Sequence, residues 1–256
     1  MQNNTFSTLF VGQNLIKLSA VDSTNNYLKK LASNSEPLPE GTVIMADHQY
    51  AGRGMQGNVW MAEAGKSLTF SLLLRPTFIS AEQQFELNML VSVAINNVLS
   101  KYLSDDLSIK WPNDVYVGNR KIGGVLIENV ITGSHLKQSI IGIGLNVNQG
   151  EFEAELAGRP VSLAQILQQD VNLFVLLSEL CSQIEQLYLK MKFGKSTNLR
   201  ELYVSRLYRL HKIATYSKNG ELFEGVIEGI SHTGLLKIKP LDGETQEFGF
   251  KEVAFI

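Results

Sequence analysis

The sequence predicts an α+β protein: a mixed, largely antiparallel sheet with helices packed on it, followed by a small C-terminal β-barrel. Three observations carry that expectation. Strand-like segments crowd between Leu107 and Val147, separated by hairpin turns at Gly118-Asn119 and Thr132-Gly133-Ser134. Two long stretches, Ser80 to Leu103 and Leu173 to Met191, carry apolar residues at helical spacing. In the last 48 or so residues, Asn219-Gly220, Thr233-Gly234 and Asp242-Gly243 punctuate short segments of Val, Ile, Phe and Leu, as a small barrel requires. With a boundary near Tyr208-Arg209, the expected division is a main domain over residues 1–208 and a barrel over 209–256.

In chain order, Leu15 to Leu18 reads as a short strand, and Asp22-Ser23-Thr24-Asn25 offers capping oxygens for a helix running to about Ala32, with Ser23 or Asp22 as the cap. Glu36 to Gly41 is a turn, and Thr42 to Ala46 has the β-branched density of a buried strand. Leu68, Phe70, Leu72 and Leu74 alternate with Thr69 and Ser71, which is strand periodicity, and Pro76 ends it. Ser80 to Leu103 is free of Pro and Gly, and its stripe of Phe85, Met89, Val93 and Ile95 predicts a helix covering the sheet. Leu107–Trp111, Val115–Val117, Lys121–Ile131 and Leu136–Val147 follow as antiparallel strands. After a loop around Gly150 to Pro160, Leu173, Leu177, Leu180, Ile184, Leu187 and Met191 mark a core-facing helix, and a second one over Thr197 to Leu207 completes the domain.

A chain of 256 residues with 44% hydrophobic content can bury a large core. Its 23 basic and 25 acidic groups leave a formal charge of -2, so no overall basic field invites nucleic acid and any cationic site is local. The one cysteine, Cys181, has no internal disulfide partner, which points to the cytoplasm. Met1 to Val11 lacks the pattern of a secretion signal, and no run of about 18 apolar residues spans a membrane. His48, His135, His211 and His232 lie far apart without ligand spacing, so no protein-built metal site is expected.

The residues that could carry chemistry fall into a few clusters. Gly52-Arg53-Gly54-Met55-Gln56-Gly57-Asn58-Val59-Trp60 reads as a flexible cationic loop whose glycines free its amides for an anion, although glycine spacing alone fits an ordinary surface loop. Trp60 could stack on a purine, and so could Trp111, while core is the commoner role for either. In Lys110-Trp111-Pro112-Asn113-Asp114, Pro112 breaks the strand and sets Asn113 and Asp114 at its end, facing a cleft or forming a plain turn. Lys121 stands inside an apolar strand, where it must either reach solvent, the commoner role, or meet an anion; Gly123-Gly124 just after it weaken a strand and are usually tolerated because a ligand or another backbone needs the space. Gly142-Ile143-Gly144-Leu145-Asn146 reads as a tightly packed strand with a useful amide at its end.

Taken together and in this order, these motifs and Asp22-Ser23-Thr24-Asn25 resemble the biotin protein ligase family, also called holocarboxylase synthetase; the likeness covers roughly Leu15 to Asn148 and continues more weakly into the barrel, which is SH3-like in that family. The resemblance implies a reaction in two steps. Biotin and MgATP give biotinyl-5'-adenylate and pyrophosphate; a lysine of a biotin carboxyl carrier protein then takes the biotinyl group. Both steps develop negative charge, so positioned cations and amides must lower the barrier, each by on the order of 3–4 kcal/mol. Carried over by position, Ser23, Thr24, Asn25 and Gln49 surround the biotin ureido ring, with Arg53, Gly54, Gly123 and Gly124 in the same pocket. Lys121 and Arg53 are the cations, Lys121 meeting the biotin carboxyl and its phosphate. Trp60 packs on adenine with Asn146 on its edge, while Lys110, Asn113 and Asp114 handle phosphates, Mg²⁺ and the incoming lysine.

The sequence departs from the family's usual loop, because Met55 and Asn58 stand where two arginines are common; losing the guanidinium at Met55 should let the adenylate escape more readily. Only 21 residues precede Asp22, too few for the helix-turn-helix of DNA-binding members, so a monofunctional ligase is expected. A lipoate or octanoate ligase of the same fold is the nearest alternative, and a non-catalytic biotin-binding module another; the polar set at Ser23 to Gln49 favours a ureido ring over a hydrocarbon chain. Oligomeric state, including a homodimer, is left open.

Overall fold

The computed structural model describes residues 6–34, 36–103, 106–152, 159–195 and 198–256. Its main sheet has seven strands: β1 (Leu15–Val21), β2 (Val43–Gln49), β3 (Ser67–Leu74), β4 (Leu107–Lys110), β5 (Asp114–Val117), β6 (Arg120–Thr132) and β7 (His135–Asn146). They lie in the order β1-β2-β3-β7-β6-β5-β4, and every neighbouring pair is antiparallel except β1 and β2. That exception has a cause in the chain: helix α1 (Thr24–Ala32) lies between the two strands and carries the chain back, as a parallel pair requires.

Helices α2 (Phe85–Leu99) and α4 (Leu173–Lys192) cover one face of this sheet, and α1 covers part of the other. All eight residues of β3 are therefore buried, so its alternation separates two interiors rather than core from solvent. Leu68, Phe70, Leu72 and Leu74 join the large core, Leu73 packs beneath α1 with Leu28, Ile44 and Ile140, and Thr69 and Ser71 share that second face. For the same reason α2 is buried almost all round from Leu87 onwards, a broader contact than a single stripe. It begins later than the sequence suggests, after a tight helical turn over Ala81–Gln83 in which Ser80 Oγ accepts from the Gln83 amide.

Ser23 is the N-cap residue of α1, but its hydroxyl makes no capping bond; Asp22 instead takes the side-chain amide of Asn26 at 2.8 Å, which holds its carboxyl below the usual carboxylate range. A short helix, α3 (Leu163–Leu167), was not foreseen, although Ser162 and Gln165 form a capping box at its start. The last helix of this unit, α5 (Leu199–Val204), is shorter than the expected span, whose Thr197 lies outside the described residues.

At the end of the main unit the Tyr208 amide still bonds the Ile109 carbonyl, and three residues later the His211 amide bonds Ile227. The C-terminal sheet comprises β8 (Ile213–Lys218), β9 (Glu221–Ile230), β10 (Leu236–Pro240), β11 (Gln246–Phe248) and β12 (Ala254–Phe255), antiparallel in the order β11-β10-β9-β8-β12. Asn219 and Gly220, at φ of 52° and 89°, make the β8–β9 hairpin that an Asn-Gly pair favours. The two units are tied together where Trp111 Nε1 donates to the Gly234 carbonyl at 2.9 Å and the ring of Phe85 presses on Gly234, leaving no room for a Cβ. Among the described residues no helix is long and apolar enough to cross a membrane.

Candidate active site

A cleft of about 450 Å³ opens on the α1 face of the sheet. Its floor is the bare backbone of Gly124, Gly142 and Gly144; its walls are the start of α1 with Gln49, the Gly52–Trp60 loop, the Lys110–Asp114 corner and the segment from Phe250 to Phe255. This single concavity gathers Ser23, Thr24, Asn25, Gln49, Arg53, Gly54, Trp60, Lys110, Asn113, Asp114, Lys121 and Gly124. It leaves out two residues expected there. Gly123 faces away, its absent side chain blocked by Leu145, and the Asn146 amide is buried against the Lys121 carbonyl at 3.5 Å.

One end of the cleft is polar and preorganised. Gln49 Oε1 accepts from the Thr24 amide at 2.7 Å and from its hydroxyl at 3.0 Å, and Ser71 Oγ lies 2.7 Å from Thr24 Oγ1 and 2.6 Å from Asn25 Oδ1. Asn25 Nδ2 in turn donates to Glu128 at 3.0 Å. With every amide oriented by a neighbour, this end can match a fixed pattern of donors and acceptors at little cost in ordering. Ser71 and Glu128 were not singled out in the sequence; a serine on the non-leucine face of β3 was the one available signal for the first.

The other end is charged. Lys121 Nζ sits 2.6 Å from Asp114 Oδ1. A register slip opposite Val115 and Tyr116 pairs Tyr116 with Lys121 but Val115 with Gly123. The extra residue, Ile122, goes into the core, and Lys121 turns onto the same face as Gly124. A Cβ at Gly124 would stand 2.9 Å from the Asp114 carboxylate and 3.4 Å from the lysine nitrogen, so that bare position houses the ion pair. Lys110 Nζ lies 5.1 Å from the ring centre of Tyr116 and 5.0 Å from that of Phe255. Burial pushes its pKa below the ordinary lysine value, and Asp114 opposes that shift. Asn113 lines the cleft, but its amide nitrogen is spent on the Val125 carbonyl and on the sulfur of Met55.

The glycine loop is itself a small hairpin: Arg53 bridges Val59, the Gly54 amide bonds Asn58 at 2.7 Å, and the Trp60 amide bonds Gly52 at 3.0 Å. Of its three glycines only Gly57, at φ of 85°, takes the left-handed conformation; Gly52 is needed because the Trp60 carbonyl fills the place of a side chain. The Arg53 guanidinium, expected to face phosphate, is engaged at the rim by Asn26 at 2.7 Å and by both oxygens of Glu128 at 3.2 and 3.3 Å. Trp60 lies in the cleft with its indole on Gly144, whereas Trp111, which also borders the cleft, is buried and bonded to Gly234 of the C-terminal unit.

A cleft with an amide-lined pocket at one end and paired lysine and aspartate at the other suits the joining of a small acid to a nucleotide. The model of the biotin/lipoate A/B protein ligase family matches residues 18–146, and the chain belongs to that family. Its similarities fall on the biotin-specific side. A bifunctional ligase/repressor BirA of Bacillus spizizenii is 31% identical over 96% of this chain and 74% of its own length. A biotin–[acetyl-CoA-carboxylase] ligase of Paracoccus denitrificans is 28% identical over 87% of this chain and 92% of its own. The solved biotin protein ligase of Aquifex aeolicus in complex with biotin and ATP superposes with a TM-score of 0.78, at 29% identity over 94% of this chain and 97% of that one.

Proposed function

We propose the following division of labour for the cleft of this biotin protein ligase. Biotin lies over Gly124 and Gly142 with its ureido ring among Ser23, Thr24, Asn25 and Gln49, and adenine packs against Trp60. Lys121 meets the biotin carboxylate and the α-phosphate as their oxygens come together; Lys110 neutralises phosphate charge beside it. The biotin carboxylate oxygen bonds to the α-phosphorus, pyrophosphate leaves with its bonding electrons, and biotinyl-5'-adenylate results. A neutral lysine amine of the acceptor then attacks the biotinyl carbonyl and AMP departs, with Asp114 orienting the ammonium and taking its proton.

Asp114 is the one carboxylate in the cleft lining among the described residues, a donor set suited to Mg²⁺ that arrives on nucleotide phosphates rather than in a protein-built cage. Bound there, the ion would supply charge neutralisation on the phosphates. The acceptor on this reading is the carrier domain of a biotin-dependent carboxylase, the catalytic unit is 1–208 with 209–256 closing its cleft, and Cys181, fully buried with its thiol pushed up by burial, is consistent with a reducing cytoplasm.

The observation that carries this assignment is that one cleft holds both the amide cluster of Thr24, Asn25 and Gln49 and the Lys121–Asp114 pair. ATP–pyrophosphate exchange tests it. Exchange should depend on biotin and not on lipoate or octanoate; exchange with lipoate alone would assign the chain to the other branch of the family.

A further inference from the structure

We propose that Glu128 is a positioning residue for this reaction, a clasp that holds the glycine loop over the cleft through Arg53 and fixes the orientation of the Asn25 amide. The proposal rests on the ligase reading and deepens it.

Glu128 lies on β6, two residues beyond Leu126 and four beyond Gly124, just outside the cleft on the same strand face. Its carboxylate receives the two ends of the Arg53 fork on separate oxygens, the side-chain amide of Asn25 at 3.0 Å, and Lys29 at 3.7 Å. Three segments thus meet on one group: the loop, the first turn of α1, and the strand that carries Gly124. Arg53 is the one charged residue between Gly52 and Trp60, so the loop has a single ionic anchor. Because the loop is an internally bonded hairpin, holding Arg53 holds Met55 and Trp60 with it.

A carboxylate only accepts hydrogen bonds, so Asn25 must turn Nδ2 to Glu128 and Oδ1 to Ser71. A glutamine at 128 would present a donor as well and remove that constraint. The clasp therefore sets both the lid and the polarity of the ureido pocket, without touching the reacting atoms.

The test compares the wild-type chain with Glu128→Gln, Arg53→Met and the double variant, reading biotin KM in pyrophosphate exchange, the rate of adenylate release, and tryptic cleavage after Arg53 in the ligand-free chain. Glu128→Gln should raise biotin KM and speed release by about tenfold, the scale of a charge-assisted bidentate contact held down by its partial exposure. The Arg53–Gly54 bond should also be cut faster, while kcat for transfer to the carrier stays within about twofold. Arg53→Met, made at a side chain 41% exposed, removes the other half of the contact without threatening the fold, and the double variant should be no worse than the worse single. Wild-type KM, release and proteolysis in Glu128→Gln, or fully additive losses in the double variant, would overturn the proposal. If the wild-type chain exchanges no pyrophosphate with biotin while Glu128 still protects Arg53 from trypsin, the ligase reading fails and the clasp survives only as a structural contact.

Discussion

Gly142 and Gly144 lie two apart on the cleft face of β7, and each supports a different side chain, so alanine at the two positions should separate the two substrates. At Gly144 a Cβ would stand 2.5, 2.7 and 2.9 Å from Cε2, Cζ2 and Cδ2 of Trp60. Carbon atoms in contact sit about 3.5–4.0 Å apart, so the indole must lift by about 1 Å. It can do so because it belongs to a surface hairpin, and the cost of roughly 1–3 kcal/mol for overpacking then falls mainly on nucleotide binding. At about 1.4 kcal/mol per factor of ten, Gly144→Ala should raise the KM for ATP by roughly tenfold and leave that for biotin within twofold.

Gly142→Ala meets a harder neighbour. Its Cβ would overlap Asn25 Oδ1 and approach Cγ at 3.0 Å and Nδ2 at 3.3 Å, and Asn25 is 2% exposed and bonded at both ends. Biotin KM should rise by a similar factor, and with no free direction for Asn25 the melting temperature should fall by a few degrees, about 2–4 °C per kcal/mol at this size. Pyrophosphate exchange titrated with each substrate, together with a thermal melt, measures all four quantities. If Gly144→Ala raises both KM values equally, or neither, then Trp60 is not the nucleotide wall and the division of the cleft is wrong.

The remaining predictions concern charge and the join between units. Asp114→Asn should slow transfer to the carrier by on the order of 10² while slowing adenylate formation far less, and equal losses in single-turnover assays of the two steps would refute its role toward the acceptor lysine. Because burial lowers the Lys110 pKa, its charge is lost at a lower pH than that of a surface lysine. Exchange should therefore fall off on the alkaline side below the ordinary lysine range, and Lys110→Arg should move that limb upward; the same depressed value makes charged Lys110 a cost to folding at neutral pH, relieved as pH rises past it, so Lys110→Met should melt no lower than wild type. Met55→Arg should slow adenylate release and reduce biotin labelling of an unrelated lysine-rich protein, measured side by side with the native chain. Trp111→Phe leaves the Gly234 carbonyl without its donor and should destabilise the chain by roughly 1–3 kcal/mol in a denaturant titration.

The strands, the two long helices and the punctuated C-terminal segments were legible because each follows from local periodicity and turn chemistry. Proximity in space was not. The slip that turns Lys121 into the cleft is one extra residue in a strand pairing; strict alternation from Gly124 turns Gly123 away, as observed, but would have turned Lys121 away as well. Glu128 reads in sequence as an ordinary polar position in a strand, and only the fold brings it to Arg53, 75 residues away. Trp60 and Trp111 could not be told apart by residue type; what distinguishes them is Gly144 beneath one and Gly234 beside the other. Asn146 was expected at the ligand on the family resemblance, yet its side-chain amide lies against the Lys121 carbonyl, and Gly144 in that same strand is the residue that lines the cleft.

The cleft also shows how three cations can share one cavity. Arg53, Lys110 and Lys121 line one cavity, and three like charges there would repel one another and resist desolvation. Each is held differently: Arg53 by Glu128, Lys121 by Asp114, and Lys110 between two aromatic faces. These pairings are not equivalent for the chemistry. Glu128 lies outside the cleft, so the Arg53 pair can persist when substrates bind, whereas the Lys121–Asp114 pair spans the bare floor at Gly124 where the proposed function places the acid. On the division of labour proposed for the cleft, an incoming carboxylate or phosphate would compete with Asp114 for Lys121. On that division of labour, once the adenylate took the lysine Asp114 would be released toward the approaching acceptor ammonium, and one ion pair would serve both half-reactions in turn. This order of events requires that Lys121→Met abolish adenylate formation yet slow the transfer of preformed biotinyl-5'-adenylate far less, the mirror image of Asp114→Asn; matching defects in the two variants would mean that the pair acts as a fixed unit and that no such exchange of partners occurs.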